Sequence, residues 1–299
     1  MIWRCGNHTF DFDATPVQSL TDPIDWNAVT AQRTRVMGIL NVTPDSFSDG
    51  GENFRVDDAV RRGIEMASQG ADIIDIGGES TRPYSEPVDA PEEIRRVVPV
   101  IERLSREVDT PISIDTSKAS VAEAAIQAGA SIINDVTGLS GDADMIDVAA
   151  GCDVGVCAMH MRGTPQTMQD DPQYDDVVAQ IRAYLAERLE TLINRGIDED
   201  RICLDPGIGF GKTHRHNVEL LRSAGRFREI GRPILIGHSR KGFTGKILSR
   251  ANDAGDQATH RDAVTLGITL AMASARIEVV RVHEVRRTVE ALRGWAACQ

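Results

Sequence analysis

Short apolar runs rich in β-branched residues recur along the chain and are separated by longer amphipathic stretches. Eight such runs cover residues 36–40, 73–76, 112–114, 132–133, 154–159, 201–204, 234–236 and 279–282. Their apolar residues are continuous rather than alternating with polar ones, which is typical of strands buried on both faces of a parallel sheet. We therefore predict eight parallel strands.

The stretches between these runs have the composition and the end signals of helices. Helices are predicted at residues 57–69, 91–107, 118–128, 175–195 and 285–296, and the segment 242–275 is predicted to hold two helical pieces around residues 251–258. Gly70, Gly129 and Gly196 are placed to end three of these helices, as glycine commonly does. Pro91 and the two acidic residues after it are typical of a helix start.

Eight strand-then-helix units predict an α/β protein with a closed (β/α)₈ barrel, also called a TIM barrel. An open doubly wound sheet is the alternative that this pattern also allows. Residues 1–35 precede the first unit and are predicted to form an N-terminal extension, in which residues 3–12 make a β-hairpin that could cover the floor of the barrel. Residues 1–299 are predicted to be a single domain, with the barrel at residues 36–299.

The charge and composition exclude several classes of partner. The chain has 33 basic and 45 acidic residues and a formal net charge of −12 at pH 7. Nucleic acid binding requires a basic face, so no nucleic acid partner is expected. No apolar run approaches the ~20 residues that cross a bilayer, and the N-terminal residues lack the apolar stretch of a secretory signal. We expect no membrane partner and a cytoplasmic location. The five cysteines are scattered without a CxxC pair, so no metal or redox cluster of cysteines is expected.

Lysine is scarce, and nearly all of the positive charge is arginine. Only Lys118, Lys212, Lys241 and Lys246 occur. An acidic surface with few lysines suits a salt-rich cytosol. A high-GC codon bias explains the arginine equally well, and both explanations stay open.

Polar residues follow the predicted strands at the end where the active sites of such barrels lie. In chain order they are Asn41, Asp75, Asp115, Asn134, His160, Asp205, the SRK segment at residues 239–241, and Arg281 with His283. A barrel with a purely structural role does not need polar groups at all eight strand ends. The pattern therefore predicts a catalytic rim.

The loops after the first two predicted strands, residues 41–51 and 77–83, are long and rich in glycine, serine and aspartate. Such loops are typical of lids that close over a substrate. Surface loops have a similar composition, but a surface role does not explain an arginine, Arg82, beside two glycines and hydroxyl side chains. We interpret both loops as lids of the site.

Two segments, MGILNVTPDSFSDGG at residues 37–51 and DIGGESTRP at residues 75–83, resemble the signature sequences of dihydropteroate synthases. Further segments resemble that family in the same order: SIDTSK at 113–118, IND at 133–135, MHMRGTPQTMQ at 159–169, LDPGIGFGK at 204–212, SRK at 239–241 and VRVHE at 280–284. The resemblance spans about residues 35 to 290. It implies that the amine of 4-aminobenzoate displaces pyrophosphate from the methylene carbon of a pterin pyrophosphate.

The resemblance implies that a flat pterin is held deep in the barrel. By similarity, the carboxylate of Asp205 accepts paired hydrogen bonds from the 2-amino group and the ring N–H. Asp115 and Asn134 are expected to meet other ring nitrogen atoms, and Lys241 to donate to the carbonyl edge. Such a set discriminates against other rings, because a wrong ring leaves buried groups unpaired.

The resemblance also implies an anion site for the pyrophosphate. Arg281 and His283 are two residues apart on the last strand and therefore point to the same side. By similarity they bind the leaving group together with Mg²⁺, which is held by Asn41 and by phosphate oxygens. The implied catalytic residues are Asp115, Asp205, Lys241, Arg281 and His283.

The family likeness assigns 4-aminobenzoate to Thr81, Arg82, Pro83, Phe210 and Ser239, and Thr81 also to the pterin pyrophosphate. Ser239 is expected to bind the benzoate carboxylate, with Phe210 and Pro83 as apolar walls. Asp45 and Asp49 are expected to organise the closed first loop, and sulfonamides should compete for this site. A general base is not expected, since an arylamine is already unprotonated at neutral pH.

Two residues depart from the family pattern. Tyr84 replaces a frequent glycine and is expected to stiffen the second loop, and Glu284 replaces a common aspartate. Two other functions stay open: a methyltetrahydrofolate methyltransferase, which shares the barrel and the pterin pocket but needs no pyrophosphate site, and a non-catalytic pterin-binding paralogue. Family members are usually homodimers, so a homodimer is expected.

Overall fold

The structure is a computed structural model that describes residues 1–13, 34–43, 52–248 and 261–298, with the backbone alone for residues 52–55 and 248. The first two strands, β1 (Ile2–Cys5) and β2 (His8–Asp11), pair as an antiparallel hairpin. Eight further strands form one parallel sheet: β3 (Arg35–Asn41), β4 (Ile73–Gly77), β5 (Ile112–Asp115), β6 (Ile132–Asp135), β7 (Gly155–Met159), β8 (Ile202–Asp205), β9 (Leu235–Ile236) and β10 (Val279–Val282).

The parallel sheet closes on itself into a barrel. Neighbouring strands follow the order β8-β7-β6-β5-β4-β3-β10-β9, and a parallel bridge between Leu204 and Ile234 joins the two outer strands. The Leu204 N–H donates to the carbonyl of Pro233 across this seam, at 2.9 Å. The predicted (β/α)₈ barrel is therefore confirmed, and the doubly wound alternative is excluded.

Helices surround the barrel and bury their apolar faces against the strands. They are α1 (Glu52–Ser68), α2 (Ala90–Glu107), α3 (Ala119–Gln127), α4 (Met145–Ala150), α5 (Val177–Asn194), α6 (His214–Arg222), α7 (Gly242–Leu248), α8 (Arg261–Ser274) and α9 (Val285–Ala296). None of the helices within the described ranges is long and apolar enough to cross a membrane. The predicted break at residues 251–258 lies outside the described residues.

The start of α2 illustrates how the sequence fixes a helix end. The Asp89 carboxylate accepts a hydrogen bond from the Glu92 N–H at 2.9 Å, and Pro91 lies in the first turn, where its missing N–H costs nothing. Further along the helix, Val97, Ile101 and other apolar residues at helical spacing are buried against the barrel. The predicted start at Pro91 is confirmed to within one residue.

Two helices, α4 and α6, are absent from the predicted set. The first is only six residues long. The second is mostly polar and is started by an unusual capping box: the Thr213 hydroxyl accepts from the His216 N–H at 3.2 Å, and the His216 ring accepts from the Thr213 N–H at 3.3 Å. Capping boxes usually carry Glu or Gln at the position of His216, so the sequence signal is easily missed.

The hairpin covers the floor of the barrel, as predicted. Trp3 is fully buried among residues from the amino ends of the strands, including Met37 and Ile132. Its indole N–H donates to the carbonyl of Arg201 at 3.0 Å, and the guanidinium of Arg232 donates to the carbonyl of Ile2 at 2.8 Å. The floor is sealed, so the carboxyl ends of the strands are the open end. Residues 14–33 lie outside the described residues, and the division at residue 35 stays a prediction.

Candidate active site

The carboxyl ends of the strands bring the predicted polar residues around one buried guanidinium. Arg281, at the end of β10, donates to Asp75 through Nε and to Asp115 through Nη2, both at 2.6 Å. Asn134, at the end of β6, donates through Nδ2 to both carboxylate oxygens of Asp75, at 3.2 and 3.4 Å. Four strand ends are thus linked in one hydrogen-bonded network.

Asp115 has an oxygen atom available to a ligand. Its Oδ2 is bound by Arg281, whereas Oδ1 is buried without a hydrogen-bond partner in the described part of the protein. Burial raises the pKa of Asp115 to about 7, against the lowering effect of the Arg281 charge and with a further rise from Asp75. Buried acceptors are normally paired, so this atom indicates a missing donor.

Asp205 lies at the same rim of the barrel, at the end of β8. Its Oδ1 accepts the Gly207 N–H at 2.7 Å. Burial raises its pKa to about 6, which the Gly207 N–H and the charge of Lys241 partly offset. Gly237 adjoins both Asp205 and Arg281, since a Cβ on it would lie 4.0 Å from Asp205 Oδ2 and 3.9 Å from Arg281 Cβ.

Lys241 lies over the ring of Phe210. The distance from Nζ to the ring centroid is 3.8 Å, which is a cation–π contact. Burial lowers the pKa of Lys241 to about 7, and the charge of Arg281 acts in the same direction. Gly209 permits the approach, because a Cβ there would lie 2.8 Å from Lys241 Cδ.

His283 and Ser239 are bound to each other at the mouth of the cavity. The Ser239 hydroxyl lies 3.0 Å from His283 Nδ1 and accepts the His283 N–H at 3.3 Å. Burial, together with four nearby cations, lowers the pKa of His283 to about 3. In order of effect these cations are Arg240, Arg281, Lys241 and Arg82. The imidazole is therefore neutral, and its surroundings are positive in a protein of net charge −12.

Two side chains of this region, Asp75 and Arg240, have partners that the sequence did not reveal. Asp75 was recognised as a strand-end residue, but its pairing with Arg281 depends on a residue 206 positions away. Arg240 has a left-handed backbone (φ 54°) and is held by Asp262 at 2.8 and 3.0 Å and by Glu284 at 2.9 Å. Glu284, which departs from the family pattern, therefore forms an ion pair with Arg240.

The second loop is bound to the loop after β7 rather than to the cavity. Arg82 and Pro83 are exposed, and Thr81 lines a separate cavity of about 540 Å³. Tyr84 has a left-handed backbone (φ 63°). Its N–H donates to the carbonyl of Pro165 at 3.1 Å, and its hydroxyl donates to Asp170 at 3.2 Å. The structure thus brings Phe210 and Ser239 to the site, whereas Arg82 and Pro83 are exposed, and Arg82 is near enough only for its charge to act on His283.

The predicted metal ligand lies at the same rim. Asn41 ends β3, is half-buried, and is paired in register with Gly77 of β4. Among the described residues, no group of three or more His, Cys, Asp and Glu side chains is arranged to hold a metal ion. Asp45 and Asp49, predicted to organise the first loop, lie outside the described residues.

The sequence is similar to those of several known proteins. The family model described as pterin binding enzyme matches residues 37–283. A dihydropteroate synthase of Synechocystis sp. is 44% identical over 263 residues, which are 87% of this chain and 87% of that protein. That of Escherichia coli strain K12 is 43% identical over 258 residues, covering 86% of this chain and 89% of that protein.

Two solved structures extend the likeness to three dimensions. The Xanthomonas albilineans dihydropteroate synthase with 4-aminobenzoic acid matches with a TM-score of 0.83 and 46% identity, covering 89% of this chain and 93% of that chain. The Yersinia pestis dihydropteroate synthase, in a sulfonamide drug complex, matches with a TM-score of 0.85 and 37% identity, covering 100% and 99%.

Proposed function

The chain belongs to the pterin-binding enzyme family, and on this premise we propose that it catalyses the reaction of the dihydropteroate synthases. In this reaction 6-hydroxymethyl-7,8-dihydropterin pyrophosphate and 4-aminobenzoate give 7,8-dihydropteroate and pyrophosphate. The protein is then a transferase of folate synthesis. The observation that carries the proposal is that two buried carboxylates, Asp115 and Asp205, lie at the carboxyl ends of the strands together with the basic side chains of Lys241 and Arg281.

The carboxylates supply the pterin subsite. Asp205 can accept paired hydrogen bonds from the planar edge formed by the 2-amino group and the ring N–H. The unpaired Oδ1 of Asp115 offers an acceptor to a further ring N–H. The Asp75 carboxylate holds the amide of Asn134, which binds a ring nitrogen of the pterin. Lys241 donates to the pterin carbonyl. A ring with a different donor pattern would leave these buried groups unpaired, which makes the pocket selective.

The cations supply the leaving-group subsite. The carbon–oxygen bond of the substrate breaks first, and its electron pair leaves on pyrophosphate while the pterin stabilises the cation. Arg281 and Lys241, with neutral His283 beside them, place positive charge and N–H donors where that negative charge develops. The carboxylates of Asp75 and Asp115 raise the pKa of Arg281 above its usual value despite burial, so it stays charged throughout.

We propose Mg²⁺ as the cofactor, held by Asn41. Mg²⁺ prefers oxygen ligands and keeps several waters, so one carboxamide oxygen with substrate phosphate oxygens makes a sufficient site. The rim fits this arrangement, because Asn41 is half-buried at the end of β3 and offers a carboxamide oxygen there. When bound, Mg²⁺ neutralises charge on the leaving pyrophosphate.

The 4-aminobenzoate subsite lies above the pterin, with Phe210 as a wall and Ser239 as a donor to the carboxylate. The lone pair of the amine forms the new carbon–nitrogen bond, and the proton released goes to solvent. Thr81, Arg82 and Pro83 complete this subsite when the second loop moves inward. The Arg82 charge already lowers the pKa of His283, which supports such an approach. Sulfonamides compete here. We further propose a homodimer in the cytoplasm.

One assay tests the function, and a second one, with methyltetrahydrofolate as the substrate, tests the methyltransferase alternative. The purified protein is mixed with the pterin pyrophosphate, 4-aminobenzoate and Mg²⁺, and both pyrophosphate and dihydropteroate are measured. Equal release of the two products, lost in Asp205→Asn, supports the synthase. Binding without turnover indicates a non-catalytic paralogue, and demethylation of methyltetrahydrofolate indicates a methyltransferase. Either result would overturn the proposal.

A further inference from the structure

Lys212 is buried behind the site and has no part in the reaction described above. It is 2% exposed. Its Nζ lies 2.7 Å from the carbonyl oxygen of Phe210, 3.1 Å from Nδ1 of His160 and 3.4 Å from the carbonyl oxygen of His160. Two N–H groups donate to the carbonyls, and one proton is shared with the imidazole, whichever nitrogen carries it.

The segment that carries Phe210 has one backbone hydrogen bond of its own, from the Phe210 N–H to the Gly207 carbonyl at 3.1 Å. Gly207, Gly209 and Gly211 all have positive φ, between 61° and 84°. Side chains pair further polar groups of the segment: the Gly209 carbonyl accepts from Gln169 at 2.9 Å, and the Gly211 carbonyl accepts from Tyr174 at 3.0 Å. Lys212 takes the carbonyl of Phe210 itself. The position of the Phe210 ring therefore depends on this contact more directly than on the others.

His160 is a rigid anchor for the other side of Lys212. Its N–H donates to the Asp205 carbonyl at 2.9 Å, and its ring packs edge-on against Tyr184 with centroids 4.7 Å apart. The glycine segment lies directly against it, since a Cβ on Gly207 would overlap the His160 carbonyl oxygen. Lys212 thus ties Phe210 to the strand ends that hold Asp205.

We propose that Lys212 is a positioning residue of the 4-aminobenzoate subsite: it holds the glycine segment so that the Phe210 ring lies between Lys241 and the incoming benzoate. The inference rests on the proposed function, which places the benzoate against Phe210. Without the amine, the carbonyls of Phe210 and His160 are left buried and unpaired. The segment must then shift towards water to satisfy them.

Arginine cannot replace lysine at this position. The three acceptors converge on a single nitrogen atom, whereas the donors of a guanidinium are spread over a planar fork. Nearly all other positive charge in the chain is arginine, so a lysine at this position is explained by the arrangement of its three hydrogen-bond partners.

The test compares Lys212→Met with Arg232→Met. Arg232 is also buried and donates to two backbone carbonyls, but at the opposite end of the barrel. We expect Lys212→Met to raise the KM for 4-aminobenzoate about tenfold or more, and to change the Kd of pterin pyrophosphate by less than about threefold. Arg232→Met should lower the melting temperature and leave both constants unchanged.

A second pair of variants keeps the test decisive if Lys212→Met does not fold. His160→Asn introduces a carboxamide, which can donate a hydrogen bond to Nζ or accept one from it. His160→Leu has no polar group at this position. His160→Leu should raise the KM for 4-aminobenzoate, and His160→Asn should restore most of the loss. Equal effects of the two variants, or equal loss of pterin and benzoate affinity in Lys212→Met, would overturn the proposal. Product formation by the unaltered protein distinguishes this failure from a failure of the proposed function.

Discussion

The amine of Lys241 lies over an aromatic ring, and among the described residues no carboxylate forms an ion pair with it. It therefore keeps its donors available for a pterin carbonyl or a phosphate oxygen. We expect Lys241→Ala to lower kcat/KM for pterin pyrophosphate roughly tenfold to a hundredfold, the scale of one hydrogen bond to a charged group, about 1.5–3 kcal/mol. Steady-state kinetics measure it, with Lys246→Ala on the exposed face of α7 as the control. Kinetics like those of the control would remove Lys241 from the site.

Asp205 gives the site a dependence on pH. Burial raises its pKa to about 6, so the free protein loses the ionised carboxylate as the pH falls through that value. A protonated carboxyl cannot accept both hydrogen bonds of the pterin edge, so affinity for pterin pyrophosphate should fall between pH 7 and pH 5.

Calorimetric titration with pterin pyrophosphate over that pH range, with the ionisation of the pyrophosphate itself subtracted, measures this dependence. Asp205→Asn should bind weakly and show a smaller loss of affinity, since Asp115, with a pKa of about 7, also titrates over this range. If the affinity of Asp205→Asn falls with pH as much as that of the unaltered protein, the pH dependence belongs to another group.

At the scale of single elements, the second loop is fastened by the residue that departs from the family pattern. Tyr84 has a backbone conformation that costs a non-glycine residue roughly 1–2 kcal/mol, and its hydroxyl and N–H both bond to the loop after β7. Tyr84→Gly removes the hydroxyl contact and frees the backbone. We expect faster hydrogen exchange in residues 79–88, because two contacts that fix the loop are lost or weakened.

Asp170→Asn is the matched variant for this loop, because it weakens the acceptor of the Tyr84 hydroxyl and leaves the backbone of Tyr84 unchanged. It should produce part of the effect. Unchanged exchange in both variants would show that the predicted stiffening by Tyr84 does not occur.

The elements that the sequence predicted well share a local cause. The barrel strands are continuous apolar runs, and α2 has a strong cap, so neighbouring residues carry the information. Helix α6 was missed because His216 replaces the usual acid of a capping box. The sequence predicted that Arg281 and its partners lie at one rim, but not which of them are hydrogen-bonded. The partners come from strands far apart in sequence, and their pairing depends on how the barrel closes.

At the scale of the whole molecule, the net charge of −12 opposes compactness. Salt shortens the range of this repulsion, from about 10 Å at 0.1 M to about 3 Å at 1 M. Surface ion pairs such as Arg106–Glu102 also weaken in salt, but each contributes only about 0–1 kcal/mol. We therefore expect the melting temperature to rise from dilute buffer to molar KCl. A melting temperature that does not change with KCl would exclude the hypothesis of adaptation to a salt-rich cytosol. Codon bias would then remain as the explanation of the arginine content.

The sealed floor has a consequence for the order of folding. Trp3 bonds to a residue 198 positions later, and Ile2 bonds to one 230 positions later. Loop-closure entropy disfavours such distant contacts until the intervening chain is compact. The hairpin leaves the ribosome before the strands that it covers, but it is among the last elements to reach its native partners, and it completes a barrel that has already assembled above it.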